Sequence, residues 1–119
     1  MIYACQLSDL PPGGSLRLTD LPGSPPVALF HTEDGELFAV DDTCTHADAS
    51  LAEGFVEDCA VECPLHAAIF DLRTGEADGM IATHPVRTHT VVASEGQVYL
   101  QLSEAIPHLP AAARRAAAS

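Results

Sequence analysis

The chain is 119 residues long and carries 17 acidic side chains against five basic ones, all of them Arg, for a formal charge of −12. That length leaves no room for a two-domain enzyme with a separate nucleotide-binding half. A surface this acidic repels phosphate backbones and anionic lipid, which excludes nucleic acid and membrane surfaces as natural partners and favours positively charged proteins.

The N-terminal MIYACQLSDL has neither a basic cluster nor an apolar run of secretory length, and no segment reaches the ~18 apolar residues of a membrane span. The expected compartment is the cytoplasm. There, four cysteines in a small chain point to metal or redox chemistry more readily than to a disulfide frame.

Short β-rich runs separated by strong breakers occupy the first forty residues: Ile2 to Gln6, PPGG, Ser15 to Leu18, LPGSPP, then Val27 to His31. Asp34-Gly35 between two apolar runs predicts a hairpin that delivers the chain to Asp41. From Asp41 to about Pro85 the periodicity fails and Cys, His, Gly and Pro accumulate, interrupted by strand-like runs at Cys59 to Glu62 and Ala68 to Leu72, with a turn at 73–75. Val86 to Ala93 and Gln97 to Leu102, joined by Ser94-Glu95-Gly96, predict a second hairpin. The expectation is an all-β domain over 1–110 whose sheet is interrupted by a loop-rich insertion at about 42–85. The Ala/Arg tail at 111–119 is too short to hold a helix without packing and is expected to be flexible.

Within the insertion stand Cys44-Thr45-His46 and Cys63-Pro64-Leu65-His66. Each pair offers one thiolate and one imidazole. Two such loops can grip two adjacent irons, both cysteines on one and both histidines on the other, which is the Rieske arrangement of a 2Fe-2S cluster. The charges explain its use: two ferric ions, two sulfides, two thiolates and two neutral imidazoles sum to about zero, against about −2 for an all-cysteine cluster, so an added electron meets less repulsion. A structural zinc site would use the same ligand types, but its usual spacing groups Cys with Cys and His with His.

The stretches CTHADASL at 44–51 and CPLHAAIFD at 63–71 resemble those of Rieske-type ferredoxins. DGELFAV before the first, DLRTGE after the second and the closing PVRTHTVVASEGQVYL occur in the family's order. The similarity is greatest to the ferredoxin components of aromatic-ring-hydroxylating dioxygenase systems, and spans nearly the whole chain. It implies antiparallel sheets forming a base domain with an inserted cluster-binding subdomain, and one 2Fe-2S cluster held by Cys44, His46, Cys63 and His66. It further implies a one-electron carrier rather than an enzyme, taking electrons from an NAD(P)H-dependent flavoprotein reductase and giving them to a terminal oxygenase, as a cytoplasmic monomer. The alternatives are a small subunit of an assimilatory nitrite reductase and a zinc-stabilised interaction domain.

Departures from related patterns carry further expectations. High-potential relatives have a disulfide between the two loops, where this chain has Ala49 and Leu65. They also have hydroxyl donors to the cluster sulfurs, where it has Ala68 and Phe70. Fewer donors leave the more negative reduced state less stabilised, which places the potential in the lower part of the roughly −150 to +300 mV Rieske span. Ala47 and Ala67 follow the ligand histidines where dioxygenase-type ferredoxins commonly have Gly, and Ile81 stands near a covering-loop Pro of that family. Cys5 and Cys59 read as free thiols, and His31, His84, His89 and His108 as surface or turn histidines, with His84 in the loop expected to cover the cluster. Ten acidic residues but only Arg73 fall between 41 and 78, which predicts an acidic field around the cluster end.

Overall fold

A computed structural model describes residues 1–44, 49–65, 68–77 and 84–103. Nine strands are described: β1 (Ile2–Gln6), β2 (Ser15–Leu18), β3 (Val27–His31), β4 (Leu37–Asp41), β5 (Phe55–Glu57), β6 (Ala60–Glu62), β7 (Ile69–Asp71), β8 (Thr88–Ser94) and β9 (Gln97–Gln101). They form two antiparallel sheets, a large one in the order β1-β9-β8-β4-β3-β2 and a small one in the order β5-β6-β7. The chain leaves the large sheet after β4, builds the small sheet, and returns as β8 to pair with β4 through Ala39–His89 and Val40–Thr88. The predicted all-β architecture is the one observed.

Strand β3 explains how the two halves share an interior. Side chains of a strand alternate between faces, and Val27 to Phe30 are all fully buried because both faces of β3 are covered. Val27 and Leu29 join Leu10, Ala39, Val98 and Leu100 inside the folded large sheet. Ala28 and Phe30, with Val40 of β4, pack on the other side against Val61, Phe70 and Leu72 of the inserted segment. This second core also contains Cys44 and Cys63.

The turns follow local chemistry. At the β8–β9 hairpin Ser94 pairs with Gln97, leaving Glu95 and Gly96 as a two-residue turn with both φ values positive, as the type I′ geometry demands. At the β3–β4 hairpin Gly35 takes φ +90° and its N–H donates to the Thr32 carbonyl at 3.0 Å. Gly75, at φ +80°, ends the turn after β7, where its N–H donates to Asp71 O and its carbonyl accepts from Val86 N. A Cβ there would run into the Val86 carbonyl oxygen. The turn thus fastens the small sheet to the segment that leads back to β8.

Candidate metal centre

The two cysteine-containing loops are built alike. The bridge Thr43–Ser50 flanks the first, and the β6–β7 pair Glu62–Ile69 flanks the second. In each, the cysteine N–H closes the loop by donating to the carbonyl five residues on: Cys44 N to Ala49 O at 2.9 Å, and Cys63 N to Ala68 O at 2.7 Å. Cys44 and Cys63 are 3% and 1% exposed, and neither is in a disulfide. His46 and His66, the other two expected ligands, lie outside the described residues, as do Ala47, Ala67 and Ile81.

The donor set can be tested against the cluster on these observations. Two thiols outside any disulfide and buried in one apolar core, at the same position of two matching loops, suit thiolate ligation of iron, whose solvent access and potential the apolar shell controls. Ala68 and Phe70 are buried in the same core and offer no hydroxyl, while Leu65 is largely exposed. Ala49 is half-buried. The other cysteines stand apart. Burial pushes the thiol pKa of Cys5 up, helped by Asp9; Cys59 is also raised by burial and by Glu36, Asp34 and Asp58, against the pull of Arg73. Both are free thiols held in the protonated form.

The first loop hangs from Asp42. Its Oδ1 accepts from Ser50 Oγ at 2.8 Å and from Ala52 N at 3.0 Å, and its main-chain carbonyl accepts from Leu51 N at 2.7 Å. Arg17 of β2 pairs with its Oδ2 at 2.9 Å. Asp41, one residue earlier and therefore on the opposite face, accepts from Arg87 at 3.1 Å and from His89 Nε2 at 2.9 Å. Ser103 N donates to His89 Nδ1 at 2.9 Å, so the ring's proton sits on Nε2 and is given to Asp41. This group ties β4, β8 and the chain after β9 together.

Two sequence expectations are corrected here. His89 is no surface histidine, since its side chain is fully buried between Asp41 and Ser103. Asp41 and Asp42 do not add to the acidic field: both are buried and ion-paired with arginines from outside the 41–78 stretch. Asp48 and Asp78 lie outside the described residues, leaving Glu53, Glu57, Asp58, Asp71 and Glu76 exposed and Glu62 half-buried. Arg73, the expected counter-charge, pairs with Glu36 at 3.5 Å. The missed signal was the Asp-Asp step at the very end of an apolar strand, where alternation must turn one carboxylate inward on each face.

A cleft of about 660 Å³ opens between the β3–β4 and β5–β6 turns, lined by Glu33, Asp34, Asp58, Cys59 and Arg73 among others, and neither Cys44 nor Cys63 reaches it. Among the described residues no helix is long and apolar enough to cross a membrane.

Residues 1–90 match the Rieske [2Fe-2S] domain family. The chain is 48% identical over 104 residues to the 3-phenylpropionate/cinnamic acid dioxygenase ferredoxin subunit of Photorhabdus laumondii, covering 87% of this chain and 95% of that protein. Its fold is similar to a chain of the complex of reduced oxygenase and oxidized ferredoxin in carbazole 1,9a-dioxygenase, with TM-score 0.76, 35% identity and coverage of 84% and 100%. It is also similar to the Sphingomonas yanoikuyae B1 ferredoxin, with TM-score 0.77, 29% identity and coverage of 86% and 98%. With its two matched cysteine loops on a split antiparallel β-fold, the chain belongs to the Rieske [2Fe-2S] family, as an electron-transferring ferredoxin rather than a catalyst.

Proposed function

We propose that this ferredoxin carries single electrons from an NAD(P)H-dependent flavoprotein reductase to a terminal ring-hydroxylating oxygenase, with Cys44 and Cys63 on one iron and His46 and His66 on the other. When bound, the 2Fe-2S cluster takes up one electron and gives it back. The observation that carries the reading is the pair of equivalent loops, each closed by its cysteine N–H and each placing a buried thiol in one apolar core. The relatives, which are ferredoxin subunits of a dioxygenase, supply the partner class.

The chain's own residues prepare the site in three ways. The apolar wall of Val61, Phe70, Leu72 and Ala68 excludes water from the thiols. Asp42 and its partners hold the first loop, while the β6–β7 ladder holds the second. Fixing the cysteine ends of both loops in this way keeps the change in geometry on electron uptake small, which is what a rapid one-electron carrier requires. The domain spans 1–110 with its cluster-binding insertion at about 42–85, and the protein works as a cytoplasmic monomer.

The test is electron spin resonance on the dithionite-reduced, anaerobically purified protein, with iron and acid-labile sulfide counted on the same sample. A rhombic signal of low average g with two irons and two sulfides per chain supports the reading. A colourless, silent protein containing zinc overturns it.

A further inference from the structure

The outer face of the small sheet has a composition that the electron-carrier reading does not use. Strand register places its side chains in two rows, Phe55–Glu62–Ile69 and Glu57–Ala60–Asp71, while the row between them, Val56–Val61–Phe70, points into the core. Phe55 is 64% exposed and Ile69 36%. Large apolar side chains thus stand in register with carboxylates on an open β surface, and Asp58 and Glu76 flank the rows. Among the described residues every arginine is committed elsewhere, Arg17 to Asp42, Arg73 to Glu36 and Arg87 to Asp41, so no basic side chain neutralises these carboxylates.

We propose that this face, centred on Phe55, Glu62 and Ile69, is a docking surface for a redox protein whose own contact patch is apolar at its centre and ringed by Lys or Arg. Charge chooses the occupant. A second copy of a chain with formal charge −12 is repelled by such a face, and so is an anionic membrane. A basic ring meets Glu57, Glu62 and Asp71, while Phe55 and Ile69 supply the dry centre that the core of an interface requires. Position makes the partner a redox protein: Glu62 is followed directly by Cys63, and Ile69 follows Ala68, the residue that closes the second cysteine loop. The buried face of the same sheet packs in the core that holds both thiols. The proposal rests on the carrier reading and adds where a partner sits.

Mitochondrial cytochrome c, lysine-ringed with an apolar haem edge, serves as the probe. One electron leaves the reduced cluster and converts ferric to ferrous haem, with no bond made or broken. Phe55→Ser and the double variant Glu57→Gln/Glu62→Gln should each slow this step at low ionic strength by about fivefold or more. The control double variant Glu95→Gln/Asp20→Asn removes the same charge from exposed positions of the large-sheet half and should stay within about twofold of the parent. Carbodiimide cross-linking, which needs no electron transfer, should join cytochrome lysines to Glu57, Glu62 or Asp71. Equal losses in the two double variants, or cross-links confined to carboxylates off this sheet, overturn the proposal. Iron content and the spin-resonance signal are recorded for every variant: their absence from the parent removes the carrier reading, whereas a loaded parent with indifferent face variants removes only the docking surface.

Discussion

At the scale of single residues the fold turns on two adjacent carboxylates that face opposite ways. Asp42 is 1% exposed and satisfies Ser50 Oγ, Ala52 N and Arg17 together, so its removal strands the first two donors and turns Arg17 to solvent. Asp42→Ala is expected to cost about 3 kcal/mol, because the part-buried donors Ser50 Oγ and Ala52 N both lose their acceptor. Arg17 is half in water, its side chain 52% exposed, but Arg17→Ala leaves the buried Asp42 carboxylate with its two hydrogen-bond donors and no counter-ion, so it should cost about 2 kcal/mol, between the exposed-pair and buried-pair cases. Urea unfolding of both variants measures the difference, and iron content should fall in the first and hold in the second. The proposed ligands allow a sharper test. His66→Cys should retain iron but lose the rhombic low-g signal and lower the potential, because a thiolate adds negative charge that an imidazole does not; an unchanged spectrum would remove His66 from the ligand set.

Among the elements, those that could be read from sequence are those whose signal is local. β1, β2 and β3 fall where alternating apolar runs between Pro/Gly clusters put them, and both predicted hairpins form. β5 escaped detection because Phe55–Glu57 is three residues beside further acids, too short to show a period, and it exists because β6 pairs with it. Val86 was assigned to a strand but precedes β8, since its N–H is spent on the Gly75 carbonyl rather than on a ladder. The metal centre was legible in the same uneven way. The spacing of Cys44 and Cys63 marks the loops, whereas Arg17, Arg87 and His89, which brace the chain around them, come from distant strands that only the tertiary fold brings near. The Gly75 turn is such a long-range joint. Gly75→Ala must take φ +80° with a side chain and push the Val86 carbonyl aside, so it should destabilise by about 3 kcal/mol or more. A thermal melt would show this, and a variant melting within a degree of the parent would mean that the turn does not join the two sheets.

For the whole molecule, what matters to function is the charge that remains once internal pairs are taken out. Asp41 and Asp42 are cancelled inside, and Glu36 is matched by Arg73, yet Glu53, Glu57, Asp58, Asp71 and Glu76 stay exposed on or beside the inserted segment. The field is therefore weaker than the sequence count implies but keeps its position around the cysteine loops. Such a field acts on encounter more than on affinity, raising association rates while leaving release fast. Its reach is set by salt, with a screening length of about 30 Å at 0.01 M and about 8 Å at 0.15 M. Electron transfer between this ferredoxin and its proposed reductase and oxygenase partners should accordingly slow by about tenfold across that range, as seen by stopped-flow absorbance under second-order conditions. The effect should be on the bimolecular rate alone, because the cysteine loops are held by buried contacts that salt does not screen, and the spin-resonance signal should not move. A bimolecular rate indifferent to salt would mean that the surviving carboxylates do not steer, and that the partners meet through apolar contact alone.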